Sequence, residues 1–182
     1  MKATALLKNI AKRSTALRII MRTCMYGMYK VRYSMRAASS RTDDRLVAFS
    51  AYSGKNYACS PKAVYEYMLK EERFSGYRFV WIFDDPEKYS FLEENRDTRV
   101  VGKGSAGCEH ALAEAKYWIF NFRAPDHWVP KKDQIYVQCW HGTPLKRLGY
   151  DITNSDNAMN SVKEIRTKYR TDAQRFDYII SS

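Results

Sequence analysis

The stretch Gln138-Cys139-Trp140-His141-Gly142-Thr143-Pro144-Leu145-Lys146-Arg147 combines residue types that suit transfer of a phosphoryl group to an alcohol. His141 follows a short apolar run, Ile135–Trp140, that reads as a strand, so the imidazole sits at a strand's carboxyl end. Gly142 permits a tight turn or a close ligand approach. Thr143 can cap a helix that has Pro144 at its first position. The free N–H groups of such a helix start attract anions, and Lys146 and Arg147 add positive charge in the first turn. A neutral imidazole can take a proton from a hydroxyl near pH 7. A positioned base beside a held phosphate is what phosphoryl transfer requires. The same residues also make an ordinary strand-to-helix turn with a structural histidine, and both readings stand at this point. The other histidines have weaker settings: His110 falls inside a helical stretch, and His127 lies in a proline-flanked loop that could border the site.

The elements that must position these residues alternate in type. Leu46–Ser50 reads as a strand, followed by the turn Ser53-Gly54-Lys55-Asn56. A helix is expected next, with Ser60 as its cap and Pro61 at its first position. Tyr77–Phe83 and Thr98–Val101 read as strands. Ser105 can cap a helix through Lys116. Tyr117–Asn121 and Ile135–Trp140 are further strands, residues 157–175 suit a helix, and Phe176–Ile180 is a last strand. Strands that are continuous apolar runs, separated by helices, specify a parallel α/β sheet covered on both faces. Ligands of such sheets bind beyond the carboxyl ends of the strands. Attention therefore falls on the loops after Ser50, Phe83, Asn121 and Trp140.

The chain has 182 residues, enough for one domain with a real core. Its net charge of +11 is unevenly placed. Residues 1–42 hold ten Lys or Arg and no Asp or Glu, which leaves 21 basic against 20 acidic residues in the remainder. A nearly neutral body argues against a nucleic-acid footprint spread over the domain. In the basic segment, Leu6, Ile10, Leu17, Ile20, Cys24, Met28, Val31 and Met35 recur at mostly helical spacing. They form one apolar stripe on a helix, or on two helices broken near Gly27. A basic amphipathic helix suits an anionic membrane surface. It is too polar to span a bilayer, which needs ~20 apolar residues. Packing on the chain's own domain, a nucleic-acid arm and a targeting peptide are the competing readings. Cys24, Cys59, Cys108 and Cys139 are scattered and read as four small buried hydrophobes, with neither a disulfide framework nor a zinc cluster.

Trp140-His141-Gly142-Thr143-Pro144-Leu145-Lys146 resembles the W-H-G-T-P-L-K signature of the CDP-glycerol glycerophosphotransferase family of teichoic acid primases and polymerases. Four further blocks agree in order: Phe49-Ser50 with Gly54-Lys55-Asn56-Tyr57 and Pro61–Tyr67; Phe79-Val80-Trp81; Ala115–Ile119 with Asn121, Arg123 and Pro125; and Arg175–Ser181. The resemblance spans about residues 45–182. It implies a Rossmann-like sheet forming the N-terminal half of a GT-B architecture. It implies transfer of glycerol phosphate from CDP-glycerol to a hydroxyl of a lipid-linked glycerol-phosphate acceptor, with release of CMP, at the cytoplasmic membrane face and with no obligatory metal or cofactor. The family's N-terminal catalytic histidine falls on His141. Ser53, Gly54, Asn121, Arg123, Gly142, Thr143, Pro144, Lys146 and Arg147 become the acceptor- and phosphate-binding set. Ser60 stands where Asn is expected, and Cys139 where Thr is common. Nothing corresponds to the family's second, donor-binding domain, so the expectation is a fragment or truncated product: residues 1–42 basic helix, 43–182 acceptor-side domain. A non-catalytic acceptor- or membrane-binding module, or a related transferase of ribitol phosphate or a sugar, is the alternative.

Overall fold

The computed structural model describes residues 15–140, 149–153 and 161–180. Six strands form one parallel sheet: β1 (Asp43–Ser50), β2 (Arg78–Phe83), β3 (Thr98–Gly102), β4 (Ala115–Phe120), β5 (Ile135–Gln138) and β6 (Tyr178–Ile179). Their order across the sheet is β3-β2-β1-β4-β5-β6, with every neighbouring pair parallel. This is the strand order of a doubly wound Rossmann-like sheet, and the order reverses between β1 and β4. The parallel α/β expectation is met, with strand ends differing by one to three residues.

Side chains of successive residues leave opposite faces of a strand, so each apolar run feeds two cores. Leu46, Ala48, Val80, Ile82, Trp118, Phe120 and Tyr136 fill one face. Val47, Phe49, Phe79, Trp81, Phe83 and Ile119 fill the other. Among the described residues, four helices accompany the sheet: α1 (Thr15–Ser39), α2 (Cys59–Lys70), α3 (Ala106–Glu114) and α4 (Val162–Ala173). Tyr65 and Met68 of α2 enter the second core. Cys108, Ala111 and Leu112 of α3 enter the first, joined by Tyr33 of α1.

Helix α2 starts two residues earlier than expected, and Ala58, not Ser60, precedes it, with no side-chain cap. Pro61 sits third in the helix, still within the turn whose N–H groups lack intrahelical acceptors. Ser105 does cap α3, accepting from Cys108 N at 3.1 Å. That helix ends at Glu114 because β4 begins at once; Gln134 Nε2 then donates to the Leu112 and Ala115 carbonyls at 2.8 and 2.7 Å. Helix α4 begins at Ser161 through a capping box with Glu164. A 3-10 segment, Glu87–Glu94, fills the stretch between β2 and β3.

Helix α1 runs unbroken through Gly27. It packs by one edge: Tyr33 is buried, Arg32 pairs with Glu109, and Arg36 Nη1 lies 2.7 Å from His110 Nε2. Ile20, Met28, Val31 and Met35 are 57–68% exposed, and Cys24 is also exposed. The apolar stripe therefore faces outward. Leu6, Ile10 and the side chain of Leu17 lie outside the described residues. Among the described residues, no helix is long and apolar enough to cross a membrane. Cys24 and Cys59 are exposed while Cys108 and Cys139 are buried, so two of the four cysteines depart from the core role expected of them.

Candidate functional site at the carboxyl ends of the strands

The chain folds into its least ordinary backbone where β1 ends. Tyr52, Ser53 and Gly54 all have positive φ, at 49°, 63° and 91°. Left-handed backbone is costly for residues with a Cβ, and hydrogen bonds hold the turn in place. Gly54 N donates to Ala51 O at 3.0 Å, and Gly54 O accepts from Asp84 N at 2.8 Å. A Cβ on Gly54 would meet Asp84 N at 2.9 Å, so the glycine is required twice, by its φ and by the close approach. Across the point where strand order reverses, Asn121 Oδ1 accepts from Tyr52 N at 2.7 Å. Asn121 is fully buried. Ser53, Gly54 and Asn121 are thus brought together, with Asn121 serving the backbone of the turn.

The strand end that leads to His141 is fixed by similar means. Cys139 N donates to Phe120 O at 2.6 Å. The buried Gln138 amide donates to Phe122 O and Tyr136 Oη, both at 3.0 Å, and its Oε1 accepts from Trp140 N at 3.1 Å. Trp140 itself has φ 51°. The chain reaches position 141 from an anchored, left-handed residue on the same rim as Ser53 and Asn121. His141, Gly142, Thr143, Pro144, Lys146 and Arg147 lie outside the described residues.

Arg123 is on the loop after β4, its Nη1 2.8 Å from Asp126 Oδ1. That loop is held by Arg175, whose guanidinium donates to the carbonyls of Ala124, Pro125 and Trp128 at 2.9–3.0 Å and to Asp172 at 2.7 Å. Arg175 and Asp172 side chains are nearly buried. Burial pushes the Asp172 carboxyl up, against the opposing pull of Arg175. His127 stacks on Tyr29 of α1, with centroids 5.6 Å apart. Burial lowers its pKa, opposed by Glu109 and Asp126, so the ring is neutral near pH 7.

Two groups were missed from sequence. Lys103 directly follows β3, in a loop that the sequence reading does not single out. Its Nζ donates to Ser53 O and Ser53 Oγ at 2.8 and 2.7 Å and lies 3.5 Å from Asp84. A lysine between Gly102 and Gly104 at a strand's carboxyl end was the available signal. Cys59, with φ 63°, opens α2 on this rim. Burial pushes its thiol up, but bonds involving Tyr52, the Ser60 backbone and Asn121 together outweigh that and lower it. Cys139, by contrast, is pushed up to about 12 by burial.

The family profile described as CDP-Glycerol:Poly(glycerophosphate) glycerophosphotransferase matches residues 31–182. The chain is 34% identical over 140 residues to a teichoic acid poly(glycerol phosphate) polymerase of Bacillus spizizenii, covering 76% of this chain and 35% of that one. It is 32% identical over 149 residues to a teichoic acid glycerol-phosphate transferase of Staphylococcus aureus, covering 81% and 37%. The solved wall teichoic acid polymerase TagF superposes with a TM-score of 0.75 at 28% identity, over 100% of this chain and 42% of that one. The chain spans 35–42% of the length of these relatives. The sheet order, the rim at its carboxyl ends and these matches agree: the chain belongs to the CDP-glycerol:poly(glycerophosphate) glycerophosphotransferase family.

Proposed function

We propose that this chain supplies the acceptor side of a glycerophosphotransferase that uses CDP-glycerol and a lipid-linked, teichoic-acid-type acceptor. An acceptor hydroxyl attacks the phosphorus that carries the glycerol. A new phosphodiester forms, the phosphoanhydride bond breaks, and CMP leaves. His141 accepts the hydroxyl proton. Gly142, Thr143 and Pro144, whose sequence suits a helix start, meet the phosphate charge together with Lys146 and Arg147. The observation that supports this reading is the anchored backbone from Gln138 to Trp140, the residue before His141 in sequence, on the rim that holds Ser53 and Asn121. A structure of TagF soaked with CDPG is among the solved neighbours, which supports the choice of donor.

The test is CMP release by the enzyme whose acceptor side this chain supplies, given CDP-glycerol or CDP-ribitol with a lipid-linked glycerol-phosphate acceptor. Release that needs both CDP-glycerol and acceptor is expected. Equal release from CDP-ribitol, or release unaffected by acceptor, contradicts the reading.

The same proposal places the protein on the cytoplasmic face of the membrane. The exposed stripe of α1 is flanked by Lys30 and Arg32, which are exposed as well. Apolar insertion and attraction of about 1 kcal/mol per cation near an anionic surface would hold it there. Removing the whole segment would also take Tyr33 from the core, so the discriminating variant changes only the stripe. Met28→Glu with Val31→Glu is expected to abolish sedimentation with phosphatidylglycerol vesicles while leaving the thermal transition in place. Undiminished sedimentation contradicts the assignment.

A further inference from the structure

A cleft opens beside the Ser53 turn. It encloses about 280 Å³ between α1 and the loops that follow β2, β3 and β4. Tyr29 of α1 forms one wall; Asp84, Lys103, Glu109, His127 and Trp128 form the rest. Its size is at the low end for ligand clefts, roughly 300–1,000 Å³, and suits a small polar unit better than a nucleotide.

Its chemistry is specific. Lys103 is the cation of the cleft, pinned by both oxygens of Ser53 and offset in part by Asp84 at 3.5 Å. Glu109 is neutralised by Arg32, with Nε to Oε1 at 2.7 Å. Such a nearly balanced lining suits one negative charge with several hydroxyls, and opposes a doubly charged phosphate monoester. Asp84 accepts from hydroxyls, and a neutral His127 ring offers one donor and one acceptor. Tyr29 and Trp128 give apolar surface for a carbon backbone. The cleft also connects two parts already described. Its helical wall is α1, whose far side carries the exposed stripe, and Lys103 holds the Ser53 turn beside the point of strand reversal.

We propose that this cleft binds a glycerol phosphodiester, with Lys103 on the phosphate and Asp84 and His127 on the glycerol hydroxyls. The inference rests on the proposed function and deepens it, by giving the non-reacting part of the acceptor a place behind its terminal hydroxyl. A phosphatidylglycerol headgroup carries the same chemistry, and the test separates the two sources.

The experiment is a nitrogen-15 NMR titration of the full chain with glycerophosphoglycerol, reading the Trp128 indole and the His127 ring. Saturable shifts at both are expected, weakened about tenfold by Lys103→Gln, as for loss of a charge-assisted hydrogen bond. Because Lys103 also steadies the Ser53 turn, Tyr29→Ala is the second variant, and it too should weaken binding. Absence of saturable shifts at Trp128 and His127, or unchanged affinity in both variants, overturns the proposal. Nanodiscs of phosphatidylglycerol and of phosphatidylserine form the second arm. Shifts with the soluble diester alone identify the growing polymer as the source; shifts also with phosphatidylglycerol identify the headgroup; equal shifts with phosphatidylserine overturn recognition of glycerol. Cleft binding without CMP release would sustain this proposal and remove the catalytic one. CMP release without cleft binding would do the reverse.

Discussion

The two ends of the one parallel sheet are built differently. At the amino end, charged side chains meet across exposed ground: Asp43 pairs with Arg78, and Asp44 with Lys116 at 3.5 Å. At the carboxyl end, buried polar groups hold the backbone in costly shapes. Four of the five described non-glycine residues with positive φ, Tyr52, Ser53, Cys59 and Trp140, lie on that rim; Asp97 alone lies at the other end. Strained backbone persists only where its surroundings over-determine it. Asn121, Gln138 and Lys103 are the side chains that do so here. The comparison teaches that one end of the sheet is made only to be stable, while the other is made to hold loops in fixed positions.

Substitutions at the two ends should separate accordingly. The largest effect on stability is expected from Arg175→Ala, which strips three loop carbonyls of a donor and leaves Asp172 buried without its cation. Breaking a buried pair from one side costs about 3–5 kcal/mol, so chemical denaturation should show a loss of that size. A loss below ~1 kcal/mol would mean that the loop carrying Arg123 and His127 is held by other contacts. Next is Gly54→Ala, which meets both the positive φ and the Asp84 amide. About 1–3 kcal/mol is expected, and a neutral result would show that the turn is not over-determined. The smallest effect is expected at the amino end. Asp43→Ala breaks a pair whose arginine is 60% exposed. Such pairs contribute ~0–1 kcal/mol, and a larger loss would erase the contrast between the ends.

Much of this was legible in the sequence because β1, β2 and β4 are uninterrupted apolar runs, and runs of that kind between helices specify a parallel sheet. The presence of β5 was legible too, as a short apolar run from Ile135, although the strand stops at Gln138 where Trp140 was expected; the strand-to-helix turn expected after it lies outside the described residues. Other features depended on contacts between residues far apart in the chain. Nothing local marks Asn121 as the partner of Tyr52 N, 69 residues away. The Gly102-Lys103-Gly104 sequence could mark the lysine, but its bond to Ser53, 50 residues away, needed β3 to lie beside β2. Ser60 was a misleading cap signal because Pro61 is tolerated anywhere in the first turn. The true cap of α4 was present as Ser161 and Glu164, the S-x-x-E spacing of a capping box, inside a helix expected to begin at residue 157. The outward stripe of α1 needed the docked edge to be known first, since Tyr33 and the apolar stripe both follow helical spacing.

The proposed function puts the chemistry at the carboxyl-end rim, with His141 as the base. The decisive measurement is the rate of CMP release by the enzyme whose acceptor side this chain supplies, comparing His141→Ala with Asp43→Ala. The account predicts a loss of roughly 10²–10⁴ for His141→Ala, as for a removed general base, with an unchanged thermal transition, and an unchanged rate for Asp43→Ala. A His141→Ala protein that is folded and releases CMP at the original rate would contradict it.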